Sequence, residues 1–101
     1  MYYIYILYSP SAEKYYIGHT DNPEKRLHVH NHSDRLTYTS KHRPWTLAVL
    51  FQCSENRGDA IRIEKLIKKQ KSRTFIEKLV QDEVKLYGEL AQLVRVPHVR
   101  D

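Results

Sequence analysis

The sequence has few of the residues that crosslink small secreted proteins or carry chains across membranes. It contains one cysteine, Cys53, so a disulfide within the chain is excluded and a reducing compartment is favoured. No run approaches the roughly 20 apolar residues of a membrane helix, and the N-terminus lacks a basic segment followed by a long apolar one. We therefore expect a cytoplasmic protein that does not act at a membrane, with Cys53 as a small core residue.

The chain is also short of acidic residues. It has 12 Asp and Glu against 17 Lys and Arg, which gives a formal net charge of +5. Eight basic and only three acidic residues lie between Arg57 and Lys78, counting both ends. A concentrated basic face suits a polyanion, most often a nucleic acid, but a well-solvated helix surface has the same composition. Charge alone favours neither interpretation.

Strand patterns occur in three places in a chain of 101 residues, a length that predicts one domain. Residues 2–8 are aromatic and β-branched, residues 9–14 are polar and turn-forming, and residues 15–18 resume strand character. This pattern predicts an antiparallel hairpin. Residues 45–53, "WTLAVLFQC", form the most continuous apolar run and predict a buried central strand.

Three helices are predicted between and after these strands. The first begins at Pro23, capped by Asp21 or Asn22, because a proline in the first helical turn loses no hydrogen bond. The second begins near Asn56, and the third covers residues 72–80. The order β-β-α-β-α-α predicts an α+β fold with a small, three-stranded, mostly antiparallel sheet flanked by helices.

The histidines are numerous, but their spacing argues against a metal centre. His28 and His30 are two apart, so on a helix they point in different directions, and the chain has no paired cysteines for structural zinc. Arg26 and His30 are four apart and therefore project from one helix face. A guanidinium suits phosphate oxygens, and an imidazole can hold or relay a proton near neutral pH.

Glu64 is the one acidic residue between Ala60 and Phe75. It can form an ion pair with Lys68, one helical turn further on, which stabilises a helix by about a few tenths of a kcal/mol. Alternatively, a lone carboxylate that faces a phosphate site can hold one hydrated Mg²⁺, which uses one or two carboxylates and keeps several waters. Spacing does not separate these interpretations.

Taken in order, these features resemble the GIY-YIG endonuclease superfamily. The chain carries "YIY" at residues 3–5, "YIG" at residues 16–18, then Arg26, His30 and a helical Glu64. The stretches "YTSKHRPWTL" and "AIRIEKLIKK" are similar to the small, stand-alone bacterial branch of uncharacterised single-domain members. The resemblance covers roughly residues 2–80, and we assign residues 1–82 to the nuclease-like domain.

The resemblance implies a role for each matching residue. Tyr16 is the general base that activates water against a phosphodiester, and Tyr5 hydrogen-bonds the water or Tyr16. Arg26 stabilises the charge that develops on the phosphoryl oxygens, while His30 orients a tyrosine hydroxyl or assists proton movement. Glu64 binds the divalent metal, Mg²⁺ or Mn²⁺. The implied function is a metal-dependent nuclease that hydrolyses the phosphodiester bonds of nucleic acid, with DNA rather than RNA as the expected substrate.

One departure from the family pattern keeps an alternative open. The asparagine that many members carry downstream of the metal glutamate is absent after Asn56, whereas Tyr3, which stands where the first motif has glycine, is a common replacement in such domains. The alternative is a binding module of the same fold that has lost efficient turnover. A basic protein–protein adaptor is a third interpretation, but it makes the motif coincidence accidental. The sequence indicates no obligate protein partner.

Further basic residues are candidates for contact with nucleic acid. Lys41 and Arg43 lie in a polar segment, residues 32–44, that predicts a surface loop, and Trp45 is expected to anchor this loop in the core. The predicted nucleic-acid-binding residues are Lys41, Arg43, Arg62 and Lys68. Gly18 is expected to let the strand end tightly after Tyr16, because glycine adopts backbone conformations that other residues avoid.

The C-terminal residues 83–101 show no clear domain role. We assign them to an extension that is either incidental or disordered. Residues 88–101 are similar to the conceptual translation of the 5′ part of a tRNA gene. The hypothesis is that the reading frame runs into a neighbouring tRNA gene, which the downstream DNA sequence tests.

Overall fold

The computed structural model describes residues 1–35 and 37–97. The elements are β1 (Tyr2–Ser9), β2 (Lys14–Thr20), α1 (Pro23–His32), β3 (Thr46–Ser54), α2 (Arg57–Lys69), α3 (Arg73–Gln81) and β4 (Val94–Arg95). Two short 3₁₀ turns, Thr39–His42 and Gly88–Gln92, lie in the connections. The α+β class and the predicted order of the first six elements are confirmed, but the sheet has four strands instead of three.

The helices begin where the sequence predicts because each start has a side-chain cap. At each start the capping side chain accepts a hydrogen bond from a backbone amide that the helix leaves free, and the capping residues are Asn22, Asn56 and Ser72. Within the two described ranges, no helix is both long and apolar enough to cross a membrane.

The sheet has the order β2-β1-β3-β4, with each neighbouring pair antiparallel. In the hairpin, Tyr5 lies opposite Gly18 and Leu7 lies opposite Tyr16. Successive side chains of a strand point to opposite faces, so the β1 residues Ile4 and Ile6 face away from Tyr5 and Leu7. The tyrosine-rich hairpin therefore places side chains on both faces of the sheet.

The two faces carry cores of different size. On one face the main core joins the sheet to α2 and α3, with Ile4 and Ile6 packed among residues such as Ile63, Ile67 and Leu79. On the other face Tyr5, Leu7, Trp45 and Leu50 form a smaller cluster that Leu27 of α1 covers. Trp45 is 2% exposed, as expected for an anchor of the preceding loop. The strand β2 forms one edge of the sheet, so groups from both faces can meet there.

The C-terminal segment packs on the domain as far as it is described. Leu93 is buried in the main core, and Val96 donates its backbone N–H to the carbonyl of Leu50. Arg95 donates to the carbonyl oxygens of Leu79 and Val80 near the end of α3. Leu93, Arg95 and Val96 thus contact the folded domain. The assignment of residues 83–101 to an extension that is either incidental or disordered stays a prediction. The rest of that extension, residues 98–101, lies outside the described residues, and the tRNA-gene hypothesis stays a prediction.

We expect Leu93→Ala to lower the free energy of unfolding by about 2–5 kcal/mol, the usual loss for a buried leucine. Leu93 is 8% exposed, whereas its neighbour Val94 is 59% exposed. Urea unfolding measures the change, with Val94→Ala as the matched control, for which a change within about 0.5 kcal/mol is expected. Equal, small effects of both substitutions would show that this segment does not contribute to the core.

Candidate active site

A buried hydroxyl on β1 is held by two side chains of α1. The Tyr5 hydroxyl lies 2.9 Å from His30 Nε2, and Arg26 Nε donates to it at 3.4 Å. Asn22 and Pro23 fix the start of α1, and the spacing of four puts Arg26 and His30 on the face that meets the sheet. Three of the five predicted catalytic residues therefore form one hydrogen-bonded group, the Tyr5–His30–Arg26 group.

The proton positions in this group follow from burial and from the available donors. Burial lowers the pKa of His30 to about 4, and the guanidinium groups of Arg26 and Arg43 act in the same direction. Burial also raises the pKa of Tyr5 to about 12, although the hydrogen bond from Arg26 opposes that shift. At neutral pH His30 is therefore neutral and Tyr5 keeps its proton.

The hydrogen bonds of the group then have assignable directions. Arg26 has only donors, so the Tyr5 hydroxyl donates to His30 Nε2 and accepts from Arg26. His30 carries its proton on Nδ1 and donates it to the buried Thr39 hydroxyl at 2.9 Å. The tyrosine that His30 orients is thus Tyr5. Among the described residues, the Tyr5 hydroxyl hydrogen-bonds to two side chains of α1. The resemblance implied a hydrogen bond to the water or to Tyr16 instead.

We expect the imidazole of His30 to titrate with a midpoint near pH 4, measured by the NMR shifts of its ring protons. Since the ordinary pKa is 6.5, the unfolded chain takes up this proton first as the pH falls. The contribution of His30 to stability is therefore complete above about pH 6.5 and decreases as the pH falls towards 4. A midpoint at or above 6 would contradict the buried, neutral state.

Tyr16 packs against this group through its ring, and its hydroxyl has no hydrogen-bond partner among the described residues. Its ring packs edge-on to His30, with centroids 5.0 Å apart, and stacks on Tyr38 at 6.2 Å. Lys68 Nζ lies 5.7 Å from the centroid of the Tyr16 ring. None of the hydrogen bonds within residues 1–35 and 37–97 involves the Tyr16 hydroxyl. Beside it is a cavity of about 190 Å³, lined in part by Tyr16, Arg26 and His30.

The Glu64 carboxylate is held by two cationic or polar donors. Lys68 Nζ donates to Oε2 at 2.7 Å, and His19 Nδ1 lies 2.6 Å from Oε1. The side chain of Glu64 is only 16% exposed. The ion pair with Lys68 thus forms, and Lys68 Nζ also lies 5.7 Å from the Tyr16 ring centroid. Metal binding by Glu64 stays a prediction.

His19 is a functional candidate that the sequence analysis missed. It follows the second motif directly, and strand alternation sends it to the face opposite Gly18, towards α2. The alternation of strand residues predicts the face on which His19 lies. The sequence does not predict its partner, because Glu64 is 45 residues further along the chain and reaches His19 only through the packing of α2 on β2.

The residues fit a hydrated divalent metal held by one carboxylate. Among the described residues no three His, Cys, Asp or Glu side chains cluster as a metal cage. Each carboxylate oxygen has two acceptor positions, so Glu64 can bind an ion while it keeps a hydrogen bond. A magnesium ion commonly uses one or two carboxylates and completes its shell with water. Glu64 would therefore hold the ion, and His19 would orient the carboxylate.

Gly18 is required because a side chain at this position would collide with Tyr5. The sequence suggested a different reason, that Gly18 lets the strand end tightly. The strand β2 continues through Gly18 to Thr20, so no tight end occurs here. A Cβ atom added to Gly18 would lie 2.3 Å from the Tyr5 hydroxyl and 2.5 Å from Cζ. The glycine of the second motif therefore makes room for the tyrosine of the first.

We expect Gly18→Ala to lower the free energy of unfolding by about 1–3 kcal/mol through overpacking. Because it displaces the Tyr5 hydroxyl, it should also reduce phosphodiester cleavage by about 10²-fold, the loss that a misplacement of about 1 Å can cause. Gly88→Ala is the control, since Gly88 has φ +62 and no atom near its Cβ direction. Gly88→Ala should lower the free energy of unfolding without slowing cleavage. Equal losses of cleavage in both variants would show that Gly18→Ala does not act by displacing Tyr5.

The four predicted nucleic-acid-binding residues have different surroundings. Lys41 is exposed in the 39–42 turn, and Lys68 belongs to the Glu64 site. Arg43 instead donates to the carbonyl oxygens of His30 and Ser33, at 2.6 and 2.7 Å, and so closes the end of α1. Arg62 forms ion pairs that reduce its availability to a phosphate, with Asp59 and Glu89.

The chain is similar to known proteins over most of its length. Residues 1–78 match the family model described as "GIY-YIG catalytic domain". The chain is 36% identical over 87 residues to the UPF0213 protein CPE1444 of Clostridium perfringens, a match that covers 82% of this chain and 91% of that protein. Such domains imply nuclease activity on nucleic acid and generally use divalent metal ions. The chain belongs to the GIY-YIG family.

Proposed function

We propose that this protein is a divalent-metal-dependent endonuclease that hydrolyses phosphodiester bonds, in DNA more readily than in RNA. The observation that supports the proposal is the position of the Tyr16 ring next to the Tyr5–His30–Arg26 group, with its centroid 5.0 Å from that of His30. On the Glu64 side, Lys68 Nζ lies 5.7 Å from the Tyr16 ring centroid and donates to the Glu64 carboxylate at 2.7 Å. We also place the protein in the cytoplasm, since its lone cysteine favours a reducing compartment.

The division of labour between the two tyrosines follows from their surroundings. Tyr5 keeps its proton, because its pKa is about 12 and its hydroxyl donates to His30. We assign the role of general base, which takes a proton from the attacking water, to Tyr16, because its side chain lines the adjoining cavity and its hydroxyl has no hydrogen-bond partner among the described residues. The water oxygen bonds to phosphorus as the ester P–O bond breaks. Tyr5 contributes by holding Arg26 and His30 in place.

Arg26 is the residue that stabilises the charge of the transition state. Its Nε is bonded to Tyr5, so the guanidinium has a fixed position at the cavity beside Tyr16. Fixed donors aimed at developing charge are usually the largest single contribution to such catalysis. A divalent ion held by Glu64 would supply a Lewis acid that stabilises the negative charge of the transition state. Glu64 would hold that ion, and His19 would keep the carboxylate oriented towards it.

A direct assay of the wild-type protein tests the proposal. Branched, nicked, single-stranded and fully paired DNA, and RNA of matching sequence, are incubated with Mg²⁺, with Mn²⁺ or with a chelator. The proposal requires cleavage with a divalent metal and none with the chelator, with DNA cut faster than RNA. Cleavage that persists in the chelator would contradict the role given to Glu64.

The second candidate, a nucleic-acid-binding module without efficient turnover, is favoured by one observation. Both Glu64 oxygens are already engaged, by His19 and Lys68, so a metal has to share or displace a donor. Binding of DNA with no cleavage under any metal condition would support this candidate over the nuclease.

A further inference from the structure

A groove of about 310 Å³ lies beside the active site, between β2 and the α2–α3 junction. Its floor consists of three buried isoleucines, Ile17, Ile67 and Ile76. Its volume is at the lower end of the range of small-molecule pockets, which is roughly 300–1,000 Å³. The catalytic residues do not require this space, so it calls for a separate explanation.

One wall of the groove is an aromatic ring that contacts the active site directly. Tyr38 is 47% exposed, and its ring stacks on Tyr16 with an interplanar angle of 26°. Tyr38 lines both this groove and the smaller cavity beside Tyr16. Tyr15 forms a second aromatic wall, with the Arg73 guanidinium 5.1 Å from its ring centroid. A flat group that enters the groove would therefore meet ring surfaces and an apolar floor.

The rim of the groove is positively charged. Lys14, Lys68 and Lys71 line it, and its described lining contains no acidic residue. Lys68 is paired with Glu64, whereas no ion pair among the described residues involves Lys14 or Lys71. Arg73 donates to the Glu13 carbonyl and thereby joins α3 to the hairpin turn. An apolar floor with aromatic walls and free lysines fits a nucleobase flanked by phosphates.

We propose that this groove receives one unpaired nucleotide of the substrate strand, next to the phosphodiester that is cut. The base stacks on Tyr38 above the isoleucine floor, and the adjoining phosphate contacts Lys14 and Lys71. A base inside a duplex has to be unstacked and unpaired before it can enter the groove, which costs about a few kcal/mol. The protein therefore selects sites at which a nucleotide is already unpaired, such as a bulge or a single-stranded junction. This inference rests on the proposed nuclease function, because it defines the substrate of the same site.

Binding measurements with a cleavage-deficient protein, Glu64→Ala, test the inference without turnover. The probes are two DNA duplexes of equal length, one fully paired and one with a single bulged 2-aminopurine. We expect the bulged duplex to bind about 5- to 150-fold more tightly, which corresponds to the roughly 1–3 kcal/mol that stacking of one base on an aromatic side chain is worth. Quenching of 2-aminopurine fluorescence on binding reports the stacking itself.

Substitutions in that background separate the groove from general charge. Tyr38→Ala should remove the preference for the bulge, and Tyr38→Phe should keep it, because the ring surface persists. Lys71→Gln should weaken binding of the bulged duplex. The matched control is Tyr87→Ala, which removes an exposed tyrosine with Lys85 Nζ 5.7 Å from its ring centroid, outside the groove.

The outcomes distinguish this inference from the proposed function. Equal binding of both duplexes, or equal effects of Tyr38→Ala and Tyr87→Ala, would overturn the groove assignment even if the wild type cleaves DNA. A bulge preference that depends on Tyr38 would support the groove even if the wild type cleaves nothing. In that second case the protein would be a binding module for unpaired nucleotides.

Discussion

Replacing Tyr16 by phenylalanine is expected to slow cleavage by about 10²–10⁴-fold, the usual contribution of a general base. The substitution removes one oxygen atom and keeps the ring contacts with His30, Tyr38 and Lys68. Since no hydrogen bond among the described residues uses the Tyr16 hydroxyl, stability and nucleic-acid binding should change little. Single-turnover cleavage, urea unfolding and DNA binding measure the three quantities separately.

The control for this variant is Tyr8→Phe, in the other strand of the same hairpin. Tyr8 packs on Tyr15, with ring centroids 4.9 Å apart, and has no contact with the catalytic group. Its cleavage rate should equal that of the wild type within about a factor of two, because substitutions away from special features change stability within about 0.5 kcal/mol. If Tyr16→Phe also cleaves at the wild-type rate, Tyr16 is not the base.

The second large effect is expected for Glu64→Ala. Without this carboxylate the site loses its one acidic group, and cleavage should fall by at least about 10³-fold, the factor that corresponds to roughly 4 kcal/mol of lost Lewis-acid stabilisation. Binding of Mn²⁺, followed by electron paramagnetic resonance, should also lose its saturable component. This readout does not depend on turnover, so it tests the metal site by itself.

A carboxylate in a comparable ion pair serves as the control. Glu89 accepts from Arg62 at 2.8 Å but lies away from Tyr16. Glu89→Ala should leave cleavage and saturable Mn²⁺ binding unchanged. Loss of Mn²⁺ binding in the Glu89 variant, or its persistence in Glu64→Ala, would contradict the assignment of the metal to Glu64.

Most of the fold was accessible from the sequence because its signals are local. Aromatic and β-branched residues on either side of a turn-forming segment identified the hairpin, and Asn22 with Pro23 marked the start of α1. The strand β4 was missed because Val94–Arg95 is two residues long. The burial of Leu93 depends on contacts between residues 83–97 and the rest of the domain, which no local pattern records.

The candidate site was predictable where its geometry depends on one element. Arg26 and His30 share a face because a helix repeats every 3.6 residues, so the sequence predicts that their side chains project in the same direction. The contact of this face with Tyr5 does not follow from the spacing. Contacts between elements were not predictable. The charge of Arg43 predicts contact with a phosphate. Arg43 donates instead to two backbone carbonyl oxygens, and the residue types in the sequence do not indicate such partners. Gly18 reads as a turn residue, yet it makes room for Tyr5.

The central claim is that Tyr16 and Glu64 act on one phosphodiester from two sides. A crystal structure of Tyr16→Phe with Mn²⁺ and a DNA duplex carrying one bulged nucleotide tests it most directly. The account predicts an anomalous Mn²⁺ peak at the Glu64 carboxylate and a phosphate between that ion, Arg26 and the ring of residue 16. A metal bound away from Glu64, or a phosphate that does not reach residue 16, would contradict it.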